Sequence, residues 1–362
     1  MLSRYPTLTW NGTNLGLLWQ EHMRNEAGGT RTDYRFALLS GTGALLRGPL
    51  PLFTNSGSTP GFIAGRGQQP LVWDGSGWGV FTLDGLNPLD VRYYRLDADG
   101  DRVLGPVAIT ATAGDWELDV DATWNGSEYG VSWIRQRDAT WEVRFQRLQS
   151  NGTLLGSPQI LWSAPAGSSV GHTSVIWDGG NWVVAWVDNG PSPEFPQAVY
   201  LRKLNPDGTP AGVAKRVSSL YDPDFPPQDQ VPVYDDVPVL VAKPGGGYLI
   251  YTTSYLNLTG TNEVARLEAD AAGDPVGTRL AQSASDSHQS IYGRAALDGS
   301  QVLLAYHDGT AGTQEVATVL VNAGGTVVAG PSQVTSGHSA PDSDAYVASP
   351  ANTAVASLAG GF

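Results

Sequence analysis

Few groups in this chain can do chemistry, and those few fall at a fixed spacing. There is no cysteine and there are five histidines. Thiol nucleophiles, thiolate metal sites and disulfides are therefore excluded, and acid–base work falls to His, Asp, Glu and Tyr. Five positions before the tryptophan of a recurring phrase, or its counterpart in the weaker copies, stand Tyr5, Gln68, Asp119, His172, Pro238, Tyr292 and Asp344. Three positions before it stand Thr7, Pro70, Asp121, Ser174, Leu240, Arg294 and Tyr346. Equivalent positions of a repeat meet in space when the repeats are arrayed about an axis. On that arrangement Tyr5, Gln68, Asp119, His172, Tyr292 and Asp344 ring a channel mouth and suit a hydrogen-bonding ligand. Asp119, Asp121, His172, Tyr292, Arg294 and Asp344 are the candidates for catalysis.

Two carboxylate pairs, Asp235/Asp236 and Asp342/Asp344, offer the oxygens that calcium takes. The expected cofactor is accordingly none, or Ca2+. His22, His288, His307 and His338 gather near the join of last repeat and first, and with His172 they are expected in long connections on one face. No Gly-x-Ser-x-Gly elbow, His-Glu-x-x-His helix, phosphate loop or dinucleotide fingerprint occurs.

The phrase itself reads Leu8-Thr-Trp-Asn-Gly12, Leu71-Val-Trp-Asp-Gly75, Ala122-Thr-Trp-Asn-Gly126 and Val175-Ile-Trp-Asp-Gly179, with weaker copies at 241–245, 295–299 and 347–351. A period of roughly 50 to 65 residues marks a repeat architecture. Asn-Gly or Asp-Gly between apolar runs predicts a hairpin with a type I′ turn. In the third copy, Asp121–Trp124, Tyr129–Trp133, Trp141–Leu148 and Leu154–Leu161 read as four strands, a to d, with a second tight turn at Asn151-Gly152. Four antiparallel strands per repeat, set radially, make a propeller blade. Strands a and b are traced seven times and c and d six times, so seven blades with a short last one are expected, with six and a C-terminal tail as the alternative. The whole of 1–362 is expected to be one propeller domain.

The pattern Trp-Asp-Gly-x-x-Tyr-x-Val-x-Trp, followed by Val-Arg-x-x-Arg-Leu-x-x-x-Gly, resembles the repeat of secreted bacterial β-propeller proteins. That resemblance implies the fold and a secreted or cell-envelope setting, with a leader not present in this chain; a cytoplasmic setting is the alternative. It implies no single activity, since such propellers serve as binding modules, scaffolds and enzymes. The chain lacks the Gly-His…Trp-Asp pattern of WD40 repeats, and its turns lack the closing aromatic of the sialidase Asp-box.

Asp97-Ala-Asp-Gly-Asp101 imitates the start of a calcium loop but falls where other repeats place a tight turn. Asn11, Asn125 and Asn151 open glycosylation sequons at positions where a turn residue is wanted. Nine tryptophans belong to the repeat frame; Trp116, Trp141 and Trp162 do not and are the better candidates for a stacking surface. A net charge of −14 argues against nucleic acid, and no apolar run is long enough for a membrane span. Two functions remain open. One is a non-catalytic propeller that binds a glycan, peptide or protein through its long-loop face. The alternative is a carbohydrate-active lyase or hydrolase at the channel mouth.

Overall fold

The computed structural model describes residues 2–24, 30–56, 71–84, 89–112, 114–191, 197–219, 225–226, 229, 232, 234–283, 289–309 and 315–334. Among these, every regular element is a β-strand, and the strands form six four-stranded antiparallel sheets in a ring, a β-propeller. Blade 1 is β1 (Leu2–Trp10), β2 (Asn14–Arg24), β3 (Thr30–Ser40) and β4 (Leu45–Ser56); blade 2 is β5 (Leu71–Trp73), β6 (Trp78–Asp84), β7 (Asp90–Leu96) and β8 (Arg102–Ala108). Blade 3 is β9 (Trp116–Trp124), β10 (Tyr129–Arg137), β11 (Thr140–Leu148) and β12 (Leu154–Ser163); blade 4 is β13 (Val170–Trp177), β14 (Trp182–Asp188), β15 (Ala198–Leu204) and β16 (Lys215–Arg216). Blade 5 is β17 (Tyr234–Ala242), β18 (Tyr248–Leu256), β19 (Thr261–Ala269) and β20 (Leu280–Ala281); blade 6 is β21 (Gln289–Asp298), β22 (Gln301–Gly309), β23 (Glu315–Asn322) and β24 (Val327–Gln333).

The blade number is thus six, and the expectation of seven is corrected. Each complete four-strand repeat makes one blade, and the copy counted as a seventh reads in the sequence as only two strands. That copy, 344–358, lies outside the described residues. The first strand of each blade is innermost: β1, β5, β9, β13, β17 and β21 approach one another in succession.

The a–b turns depart from type I′, which needs positive φ at both central residues. Here Gly12, Gly75, Gly126 and Gly179 have φ of 91° to 103°, while Asn11, Asp74, Asn125 and Asp178 do not enter the positive region. Each of those four side chains accepts backbone N–H groups two and three residues ahead, at 2.7–3.0 Å. Asn or Asp is selected because its side chain completes the turn, which accounts for the sequons at Asn11 and Asn125. The calcium-like segment is equally occupied: Asp97 accepts the N–H groups of Asp99 and Asp101, and Asp101 pairs with Arg47 of blade 1 at 2.8 Å.

Blades are joined by aromatics. Trp78, Tyr129, Trp182 and Tyr248 open the second strand of blades 2 to 5, and each is fully buried. The first three lie on a glycine of the blade before. A Cβ on Gly16 would stand 2.8 Å from Trp78, one on Gly79 2.7 Å from Tyr129, and one on Gly130 2.6 Å from Trp182. The turn residue is matched to the ring. Asp74 faces the Tyr129 phenol, and Asp178 accepts the Tyr248 hydroxyl at 2.6 Å. Asn11 and Asn125 precede the two tryptophans, whose indole N–H groups go instead to Ala98 and Pro206 carbonyls. Two of the tryptophans expected at the surface also join blades, since Trp141 and Trp162 pack against the core of blades 3 and 4 and Trp162 donates to Asp188 at 2.8 Å. Only Trp116, 38% exposed, keeps the surface role open.

Gly130→Ala forces that methyl into Trp182 and is expected to lower unfolding stability by about 1–3 kcal/mol. Gly126→Ala meets no atom within 4 Å and carries only backbone strain of about 1–2 kcal/mol. Urea unfolding of the two variants, with Trp182→Ala (about 3–5 kcal/mol) as reference, checks whether the inter-blade contact exceeds the turn in importance.

Candidate functional site at the channel mouth

The innermost strands share a defect that builds the site. β1, β9, β13, β17 and β21 each slip register against their partner at the same place: between Arg4 and Thr7, Leu118 and Asp121, Gly171 and Ser174, Asp236 and Val239, and Ile291 and Arg294. A bulge re-aims the side chains it carries. In three successive blades a non-glycine residue sits there in the left-handed region: Asp119 (φ 48°), His172 (φ 49°) and Val237 (φ 51°). Such conformations each cost on the order of 1–3 kcal/mol and persist where the surroundings over-determine them. The fifth a–b turn is one residue longer than the others, since Ala242 rather than Lys243 pairs in the place of Trp177. Val237 and Val239 therefore take the positions that repeat spacing assigned to Pro238 and Leu240.

His172 stands between two acids from neighbouring blades. Asp119 Oδ2 accepts the His172 backbone N–H at 3.0 Å and lies 3.6 Å from Nδ1. Asp236 Oδ1 lies 3.5 Å from Nε2 and accepts the Val237 N–H at 2.9 Å. The imidazole is largely buried, at 13% side-chain exposure. At these ring-to-carboxylate distances the contacts are electrostatic and longer than ordinary hydrogen bonds.

One layer deeper, Thr7, Asp121, Ser174 and Arg294 occupy the equivalent position of blades 1, 3, 4 and 6, and all four are buried. Two of them are latches. Asp121 Oδ2 accepts the Val175 N–H of the next blade at 2.7 Å, and Ser174 Oγ accepts the Leu240 N–H of the next at 3.2 Å. Arg294 lies half a ring from Asp121. Burial lowers its guanidinium to about 10 against the opposing pull of Asp121. His307 is pushed down to about 4, first by burial and then by Arg294, which leaves it neutral at pH 7.

Asp119 was expected just ahead of the inner strand; it lies within it, because β9 begins five residues earlier than the Asp121–Trp124 run suggests. The histidines were expected in connections. His22, His172 and His307 instead lie in β2, β13 and β22, since the strands extend past their apolar repeat cores. All three remain toward the end of the blades that carries the long connections. Tyr5 and Tyr292 fall in the bulges of β1 and β21. Gln68, His288, His338, Asp342 and Asp344 lie outside the described residues. The structure brings together Asp119, His172 and Asp236; Asp121 follows Asp119 two residues along β9, and Arg294 stands on β21, half a ring away.

The pairing of Asp235 with Asp236 around one cation is corrected. Adjacent strand residues point to opposite faces. Asp236 turns to His172, whereas Asp235 is wholly buried inside blade 5, accepting the Ser254 hydroxyl at 2.5 Å with Arg279 at 3.7 Å. Burial raises its carboxyl above the usual range in spite of those partners. Among the described residues no cluster of three His, Cys, Asp or Glu has metal-binding geometry.

Sequence spacing passed over Glu117. It is buried in β9, two residues before Asp119, with Thr112 Oγ1 donating to it at 3.1 Å. Its counterpart in blade 5, seven residues before the end of the inner strand, is Asp235. A carboxylate recurring at that place was the available signal.

No protein family and no curated protein matches the sequence. Among solved structures, the chain is similar to a GH43 endo-arabinanase from Bacillus licheniformis at 12% identity and a TM-score of 0.41, covering 74% of this chain and 100% of that one. It is also similar to a protein of unknown function from Dyadobacter fermentans (11%, TM-score 0.49, 88% and 94%) and an α-L-arabinofuranosidase from Lactobacillus brevis (10%, 0.44, 77% and 98%). At this level of likeness, function must be read from the site itself.

Asp119→Ala strips the acceptor from the His172 N–H and is expected to cost about 1–3 kcal/mol, whereas Asp119→Asn keeps an acceptor and is expected to cost under about 1 kcal/mol. His172→Gly relieves the left-handed strain while removing the ring, for a net change under about 1 kcal/mol. Denaturant titration of the three variants measures this ordering.

Proposed function

We propose that the protein is a non-catalytic binding propeller that takes a carbohydrate chain at the channel mouth. Asp119, His172 and Asp236 supply the polar contacts, and Trp116 offers a stacking surface at the start of β9. The observation that carries the reading is the convergence of three inner strands on one imidazole flanked by two carboxylates. Such a group pairs donors with acceptors, as a hydroxyl-rich ligand requires. Trp116 lies three residues from Asp119 on the same strand, about 10 Å along it. A peptide or protein partner wants an apolar patch, and apart from Leu258 between β18 and β19 and Val334 after β24 the exposed apolar side chains lie mostly elsewhere. Leu46, Val103, Leu154 and Val328 follow the c–d turns on the outer strands of four blades.

The binding reading is preferred to catalysis because Asp121, a leading acid–base candidate, is committed to the Val175 latch. One observation favours the second reading, a carbohydrate-active lyase or hydrolase. Ionisable groups are concentrated at this mouth, as they are at sites of acid–base chemistry.

A glycan array with the wild-type chain is expected to show selective binding, weakened at least tenfold by His172→Gly or Asp236→Ala and unaffected by a calcium chelator. Shortening of the bound oligosaccharide, seen by mass spectrometry, would move the assignment to the second reading. Binding that survives both substitutions would place the ligand away from this mouth.

A further inference from the structure

Glu117 is a buried ionisable group that the proposed binding site does not use. It lies on the side of β9 that faces blade 2, and it ties the two blades together. Its N–H donates to the Leu89 carbonyl at 3.2 Å, and its Oε1 receives the Thr112 hydroxyl at 3.1 Å. Thr112 belongs to the connection between β8 and β9, and its own N–H reaches Asp90 Oδ1 at 3.4 Å. The other oxygen, Oε2, is buried and approached by the Trp133 indole N–H without a completed hydrogen bond.

The neighbouring charges are largely matched to one another. On β10, Arg135 binds Asp115 and Glu142, and Arg137 binds Asp115. On β11, Arg144 binds Glu142 at 2.7 Å. On β7, Arg92 binds Asp90 at 2.9 Å. Arg135 and Arg144 act on Glu117 only through space. An ionised Glu117 would be a buried anion with one completed hydrogen bond and no ion pair at contact distance, which is a costly state. A neutral carboxyl suits the site.

We propose that Glu117 is a pH-sensitive clasp: in its neutral form it holds the N-terminal end of β9 against blade 2, and its ionisation releases that end, together with Trp116, from the channel mouth. Burial raises this carboxyl from 4.5 to about 7, against the opposing pull of Thr112, Trp133, Arg135 and Arg144. The direction of the effect follows. The closed form binds the proton more tightly than the open form, so closure is strongest below the open-state value and is lost as pH rises toward the closed-state value. Above that value both forms are ionised, and the loss levels off.

The test needs no ligand, so it stands or falls separately from the carbohydrate reading. Amide hydrogen exchange of Glu117 and Leu118, corrected for intrinsic rates, is followed from pH 5 to 8.5. Protection in the wild-type chain is expected to fall about tenfold per pH unit up to about pH 7 and then level. In Glu117→Gln it is expected to be independent of pH. If the Gln variant does not fold, the 13C shift of the Glu117 carboxyl in the wild-type chain is read instead, and its midpoint must coincide with the end of the fall. A flat wild-type profile, a fall that persists in Glu117→Gln, or a carboxyl midpoint below pH 5 would overturn the clasp.

Discussion

The contact between one blade's aromatic ring and the next blade's bare backbone is the constraint on which this structure depends. Trp78, Tyr129 and Trp182 lie flush on Gly16, Gly79 and Gly130, at distances that admit no side chain. Aromatic burial contributes most of the attraction, and the absence of a Cβ sets how closely the sheets approach. The fit fixes each blade's height against the one before. Because five of the six inner strands, all but β5, carry a bulge at the same place, fixing the blades also aligns the bulges. Without that alignment Asp119 could not accept the His172 N–H, and Asp236 could not reach the far side of the imidazole.

Two classes of polar group emerge from the same ring, and their chemistry separates them. Asp121 and Ser174 accept backbone N–H groups across blade boundaries. Each satisfies an N–H on the open edge of the next blade's innermost strand, so they belong to the scaffold. His172 and its flanking acids hold their ring contacts at 3.5–3.6 Å, longer than the backbone latches and not part of the strand ladders. The fully buried Asp235 shows the opposite extreme, an acid enclosed within one blade by Ser254 and Arg279.

Much of the frame was legible in the sequence. The Trp-Asn/Asp-Gly phrase located the a–b turns, and the strand sets followed from it. Further repeat signals were present and went unread. A glycine of positive φ recurs in or beside the outer strand of every blade, at Gly48, Gly105, Gly156, Gly212, Gly277 and Gly330. A hydroxyl after that strand, Thr110, Ser218 or Ser283, caps a backbone N–H of the third strand. Six such glycines would have settled the blade number.

The site was legible only in part, for physical reasons. Repeat spacing placed Asp119 and His172 at one level, but a bulge leaves no mark in hydrophobic periodicity, so both were assigned to a connection. The extra residue in the fifth a–b turn shifted blade 5 by one place, and this hid Val237 behind Pro238. Asp236 was grouped with its neighbour Asp235, although strand alternation sends the two side chains to opposite faces. The measurement that tests the account most directly is a crystal structure of the protein soaked with the oligosaccharide it binds best. Density on the His172 ring between Asp119 and Asp236 is the predicted result. An oligosaccharide lying along the outer strands, with the channel mouth bare, would contradict it.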